Sequence, residues 1–68
     1  MSLEEAKRRF LVNSKVKVNR SVTERHLRRV GTVTKVCREL GYVVIKVRLD
    51  EWLNAAPITF APEELTPL

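Results

Sequence analysis

Sixty-eight residues allow one domain and exclude a second, and folding at this size hides only about 60% of the extended chain's surface, so the core is small and the stability modest. With 44% hydrophobic and 31% charged residues the chain is globular, two glycines and three prolines leave no flexible linker, and the single Cys37 excludes an intrachain disulfide or a cysteine-based zinc cluster. The net charge of +5 is unevenly placed: all 13 Lys and Arg lie between Lys7 and Arg48, opposed there only by Glu24 and Glu39, which makes the centre a +11 attractor for an acidic partner.

The opening MSLEEAKRRF lacks the apolar run of a secretory signal, and nothing in the chain approaches the roughly 18 apolar residues of a membrane span. A soluble protein without membrane insertion is expected, in the cytoplasm or a compartment like the chloroplast stroma. Ser2 and Glu5 have the spacing of a capping box, and Leu3, Ala6 and Phe10 or Leu11 recur on one side of a helical repeat. A short helix through about Phe10 is predicted. At that length it either packs on the domain or is a flexible extension.

SKVKVNR alternates strictly, Val16 and Val18 against Lys15 and Lys17, as a half-buried strand does. SVTERHLRR reads as a long connection with room for one helical turn, Ser21 or Thr23 able to cap it and Val22, Leu27 and Val30 able to anchor it. Gly31 opens the β-branched TVTKVC, where a glycine would supply a positive φ or a bulge. Arg38 to Gly41 makes a short hairpin connection with Gly41 suited to a left-handed conformation. In YVVIKVRLD, Val43, Ile45, Val47 and Leu49 share the core face, while Tyr42, Val44, Lys46 and Arg48 share the other.

EWLNAAP breaks the alternation, ITF is a short strand with Phe60 inside, APEEL is one tight turn started by proline, and TPL closes the sheet as an edge strand. Five short strands with one long first connection, a tight hairpin and a one-turn element before the last strand bury their apolar faces most economically as a small antiparallel barrel. The expected fold is therefore all-β, a five-stranded barrel over residues 15–68 whose long first loop and turn before strand five resemble the SH3-like barrel, preceded by a helix or extension over residues 1–14.

KVKV, GTVTKV, VVIKVRL and the ending ITFAPEELTPL together resemble the small SH3-like barrel proteins of cyanobacteria and chloroplasts, in particular the variable chain of ferredoxin:thioredoxin reductase and the ferredoxin-docking subunit of the photosynthetic NDH complex. GTVTKV also resembles the glycine-led strand of KOW-class barrels of ribosomal and transcription proteins. The first resemblance implies an accessory or docking subunit in an electron-transfer assembly, without catalytic groups or cofactor of its own. It differs from the reductase variable chain in its shorter central connection and its added N-terminal segment.

The residues themselves offer little to an enzyme. His26 is the only histidine and stands among Arg25, Arg28 and Arg29, either as a solvent-facing loop residue or as a contact for an anion or shared metal. Cys37 suits a small buried hydrophobe better than a nucleophile, since no histidine adjoins it. Asp50 with Glu51 and Glu63 with Glu64 are sequence neighbours, not opposed carboxylates, and no phosphate loop or metal motif is present. A non-catalytic protein with no cofactor is expected.

The basic residues carry the functional argument. Arg20, Arg25, Arg28, Arg29 and Arg38 can make paired contacts with carboxylates or phosphates; Tyr42, Lys46 and Arg48 lie on an adjoining strand face; and Trp52, with Leu53 and Pro57, forms an apolar loop cluster able to anchor a partner. The expected partner is an acidic protein within a larger complex. Nucleic acid is the alternative: the dispersed cations suit a phosphate backbone, although four aromatic residues provide few stacking platforms for bases.

Overall fold

The computed structural model describes residues 1–21, 23–52 and 54–68; Val22 and Leu53, two of the expected apolar anchors, lie outside the described residues. Helix α1 spans Leu3–Arg9, followed by strands β1 (Lys15–Val18), β2 (Val30–Glu39), β3 (Tyr42–Leu49), β4 (Ile58–Phe60) and β5 (Leu65–Pro67). Single 3₁₀ turns occupy Glu24–His26, Asp50–Trp52 and Pro62–Glu64. All strand pairs are antiparallel, in one sheet of order β4-β3-β2-β1-β5. The chain is thus mostly β with a short N-terminal helix, and β4 and β5 form the sheet's edges, joined by the Pro62–Glu64 turn.

Local chemistry sets the ends of these elements. The Ser2 hydroxyl accepts from the Glu5 N–H at 3.1 Å and donates to the Glu5 carboxylate at 3.1 Å, so the expected cap is present. Before the last strand, the Glu64 carboxylate accepts from the Ala61 N–H at 2.9 Å, and buried Pro62 starts the turn. Leu40 and Gly41 alone form the β2–β3 turn, with φ of 51° and 84°. Positive φ at both centres is the primed geometry that matches strand twist. Arg38 and Glu39, expected within that connection, are in β2 instead.

The core follows the predicted faces. Val16 and Val18 are buried while Lys15 and Lys17 are exposed; in β3, Ile45, Val47 and Leu49 are buried and Val43 is half-buried towards the hairpin end. Ala6 and Phe10 from the helix side join the same apolar cluster, with Phe60 and Leu65 closing it from the edge strands. Leu11, the alternative to Phe10, is exposed.

Gly31 corrects one expectation. It has neither a positive φ nor the bulge; the register slips three residues later, at Thr34, between the pairs Val33–Val47 and Lys35–Lys46. That extra residue lets Val33 and Val36 both face inward and keeps Lys35 outside. Gly31 is required instead for close approach: a Cβ there would lie 2.5 Å from Val47 Cγ1 and 2.7 Å from the Arg48 carbonyl oxygen.

Candidate functional site

The long β1–β2 connection, residues 19–29, is fastened at both ends. Val18 N–H donates to the Arg29 carbonyl at 2.9 Å and Arg28 N–H to the Val18 carbonyl at 2.8 Å, while Asn19 N–H reaches the Glu64 carbonyl at 2.9 Å. These bonds hold Arg28 in the left-handed region, φ 66°, with its side chain exposed. A non-glycine residue there carries a local cost of about 1–2 kcal/mol.

The 3₁₀ turn in this connection packs on the turn that follows β3. The Arg25 and Arg29 guanidinium carbons stand 4.7 and 5.1 Å from the Trp52 ring centroid, and the His26 ring meets Trp52 edge-on at 5.5 Å and Phe60 at 6.0 Å. Arg29 is further held by an ion pair with Glu51 and by donating from Nε to the Arg25 carbonyl at 2.6 Å. Half-buried Trp52 is therefore the seat on which the arginine loop rests, each cation–π contact contributing about 0.5–1 kcal/mol where solvent has access. His26 is half-buried in this cluster and not the solvent-facing loop residue considered from sequence.

The nine candidate residues separate by place. Arg25, Arg29 and Trp52 form this cluster, and Arg28 flanks it in sequence and loop. Arg20 is exposed at the start of the same connection, its N–H reaching the Glu64 carbonyl at 3.3 Å. Arg48 is exposed on the outer face of β3, opposite Thr32. Lys46 shares that face but is occupied, its Nζ 3.0 Å from the Glu39 carboxylate and 2.6 Å from Thr59 Oγ1. Arg38 and Tyr42 are at the turn end of the β2–β3 hairpin, nine and thirteen residues along the chain from Arg29. Nine steps along β2 separate Arg29 from Arg38, within a molecule 28 Å in its longest dimension.

Salt bridges among the described residues engage Lys15 with Asp50, Arg29 with Glu51 and Lys46 with Glu39. The exposed Arg20, Arg25, Arg28 and Arg48 have no carboxylate partner among them. Cys37 is a free, half-buried thiol on β2 opposite Val44. No helix of the described residues is long and apolar enough to cross a membrane.

Glu51 and Leu40 were given no such place from sequence, and His26 was considered only as a loop residue or an anion or metal contact. Glu51 clamps Arg29, and only the fold could show this, because the two are 22 residues apart. His26 gains its role from the packing of two turns. Leu40, 98% exposed at the hairpin tip, was legible in principle: a leucine preceding glycine between two β-branched runs stands where asparagine or glycine is favoured. Comparison of the chain with protein-family models, with curated proteins and with solved structures finds no match, so the reading of this surface rests on its own residues and geometry.

Proposed function

We propose that the chain is a non-catalytic binding module, an SH3-like barrel that docks an acidic surface of a protein partner as an accessory part of a larger assembly. The barrel reading is supported by the strand order, in which a four-strand meander is followed by a fifth strand beside the first, with the connection lengths expected from sequence. The docking reading rests on one observation above the others. The β1–β2 connection presents Arg20, Arg25 and Arg28 without acidic partners among the described residues, and its Arg25–Arg29 part is fastened to β1 and seated on Trp52.

Pre-positioned guanidinium groups bind carboxylates without first ordering a loop, and an excess of one sign steers encounter. Arg29 and Trp52 serve as positioning residues in this scheme. The test is affinity capture with and without nuclease, comparing the wild-type protein with an Arg20→Gln/Arg25→Gln/Arg28→Gln variant. Recovery of a stoichiometric acidic protein that survives nuclease, and falls at least tenfold with the variant, is the expected result. Capture indifferent to the triple substitution would remove the site.

A second reading has its own observation. Tyr42, 75% exposed, shares the outer face of β3 with Lys46 and Arg48, an aromatic beside cations as single-stranded nucleic acid requires. Recovery dominated by RNA or DNA, with affinity falling steeply as salt rises, would favour it.

Arg28 allows stability and binding to be separated. Arg28→Gly relieves the left-handed strain of about 1–2 kcal/mol but adds roughly 0.5–1 kcal/mol of chain entropy to the unfolded state. The variant is expected to be as stable as wild type or about 0.5 kcal/mol more so by urea denaturation, while capturing less partner. A clear loss of stability would show that the Arg28 side chain holds the loop.

A further inference from the structure

The hairpin tip holds an apolar knob beside a hollow whose lining is part apolar and part polar. Leu40 is 98% exposed in a left-handed turn position, and next to it opens a hollow of about 420 Å³ whose floor and walls include Gly41, Tyr42, Val43, Phe60 and Pro62. Leu40 does not line its own hollow. Its neighbour Tyr42 is 75% exposed, so the tip shows water two large side chains in three residues. Arg38 and Glu63 both line the hollow, and neither has a salt-bridge partner among the described residues.

We infer that this end of the molecule is a self-association surface whose occupant is a second copy of the same chain, related by a two-fold axis. A two-fold interface must be complementary to itself, and this patch has both halves of the match. Leu40 of each copy enters the hollow of the other, and Arg38 of each faces Glu63 of the other. A cleft shaped for the acidic partner of the arginine loop would show one sign of charge. This one shows both. Phe60, which meets the His26 ring, also lines the hollow, but Arg20, Arg25 and Arg28 do not, so the inference rests on different side chains from the docking proposal.

The contact is small against a molecular surface of 4689 Å², and interfaces below about 1,200 Å² in total are typically weak, so association belongs in the micromolar to millimolar range. Sedimentation equilibrium of the full chain from about 10 μM to 1 mM is the measurement, the mass rising from the 7.9 kDa monomer towards the dimer. Leu40→Asn keeps a residue that tolerates the left-handed turn, so it should fold and remain monomeric. Arg38→Glu should weaken the dimer at least tenfold, and Arg38→Glu/Glu63→Arg should restore it. A wild-type protein monomeric at 1 mM overturns the inference, as does a Leu40→Asn dimer of unchanged strength or a charge swap that fails to restore association. Loss of a different protein's capture by Leu40→Asn, with the wild type monomeric, would likewise overturn it and assign the tip to that protein.

Discussion

Replacing Gly31 with valine is expected to leave the protein largely unfolded, and replacing it with alanine to cost about 3 kcal/mol. The Cβ of alanine would lie 2.5 Å from Val47 Cγ1 and 2.7 Å from the backbone carbonyl oxygen of Arg48. A valine methyl can rotate away from the first contact. The second is with the strand itself, held in register by Gly31–Leu49 on one side while Gly31 pairs with Val16 on the other. Relief therefore requires β2 and β3 to separate where the core is most completely buried. A chain of 68 residues has roughly 3–10 kcal/mol of stability in total, so the alanine variant loses a large part of it and the larger valine side chain the remainder. Gly41 is the control. Nothing lies within 4 Å of a Cβ there, and its φ of 84° makes Gly41→Asn cost about 1 kcal/mol or less. Urea midpoints for the variants check the order, and a Gly31→Ala midpoint equal to wild type would mean that β2 and β3 are free to part here.

The difference between the two glycines shows what sequence reading reaches. Gly41 was legible because turn chemistry is local: two apolar runs separated by a few residues demand a tight reversal, and the left-handed region favours glycine. Gly31 was read as conformational, whereas its role comes from strands that are distant in sequence. The bulge at Thr34 did leave a trace. Val33 and Val36 are three residues apart and cannot share a face of a regular strand, and Lys35 would otherwise point into the core. In β1 and β3 no such conflict arises, and the period of two placed Val16, Val18, Ile45, Val47 and Leu49 without error.

Legibility of the candidate site was partial for the same reason. The sequence identifies the arginine-rich connection, since composition alone marks it, and the three-residue ITF strand with the turn that follows. It does not show which arginines are tethered. Arg29 and Arg25 differ from Arg28 because Trp52 and Glu51, more than 20 residues onward, pack against the loop. Nor does charge patterning reveal that Lys46 is engaged by Thr59, its partner on β4, and by Glu39, four residues along β2 from its partner Lys35. Strand spacing does place Arg38 at the hairpin end of β2, nine residues from Arg29, while Phe60, which meets the His26 ring, lines the hollow beside Arg38.

Phe10→Ala is expected to lower stability by about 3–4 kcal/mol, nearly the whole of a modest reserve. The helix before Phe10 has seven residues, too few to persist alone, so its hydrogen bonds exist only while its apolar side is docked. Phe10 is fully buried with Ala6 among strand residues, and its N–H closes the last turn onto the Ala6 carbonyl at 2.8 Å. The ring thus holds both the helix and one side of a core drawn from all five strands. Truncation leaves a cavity that the short helix, free to fray, cannot refill as a packed strand would. Leu11→Ala, at a neighbouring but exposed position, should change stability by less than about 0.5 kcal/mol. Both variants are read from urea midpoints with the slope monitored, because unchanged cooperativity identifies a cavity cost, whereas a shallower transition would reveal detachment of the helix before the sheet. A Phe10→Ala midpoint close to wild type would show that residues 15–68 carry their core alone and that the helix adds little to it.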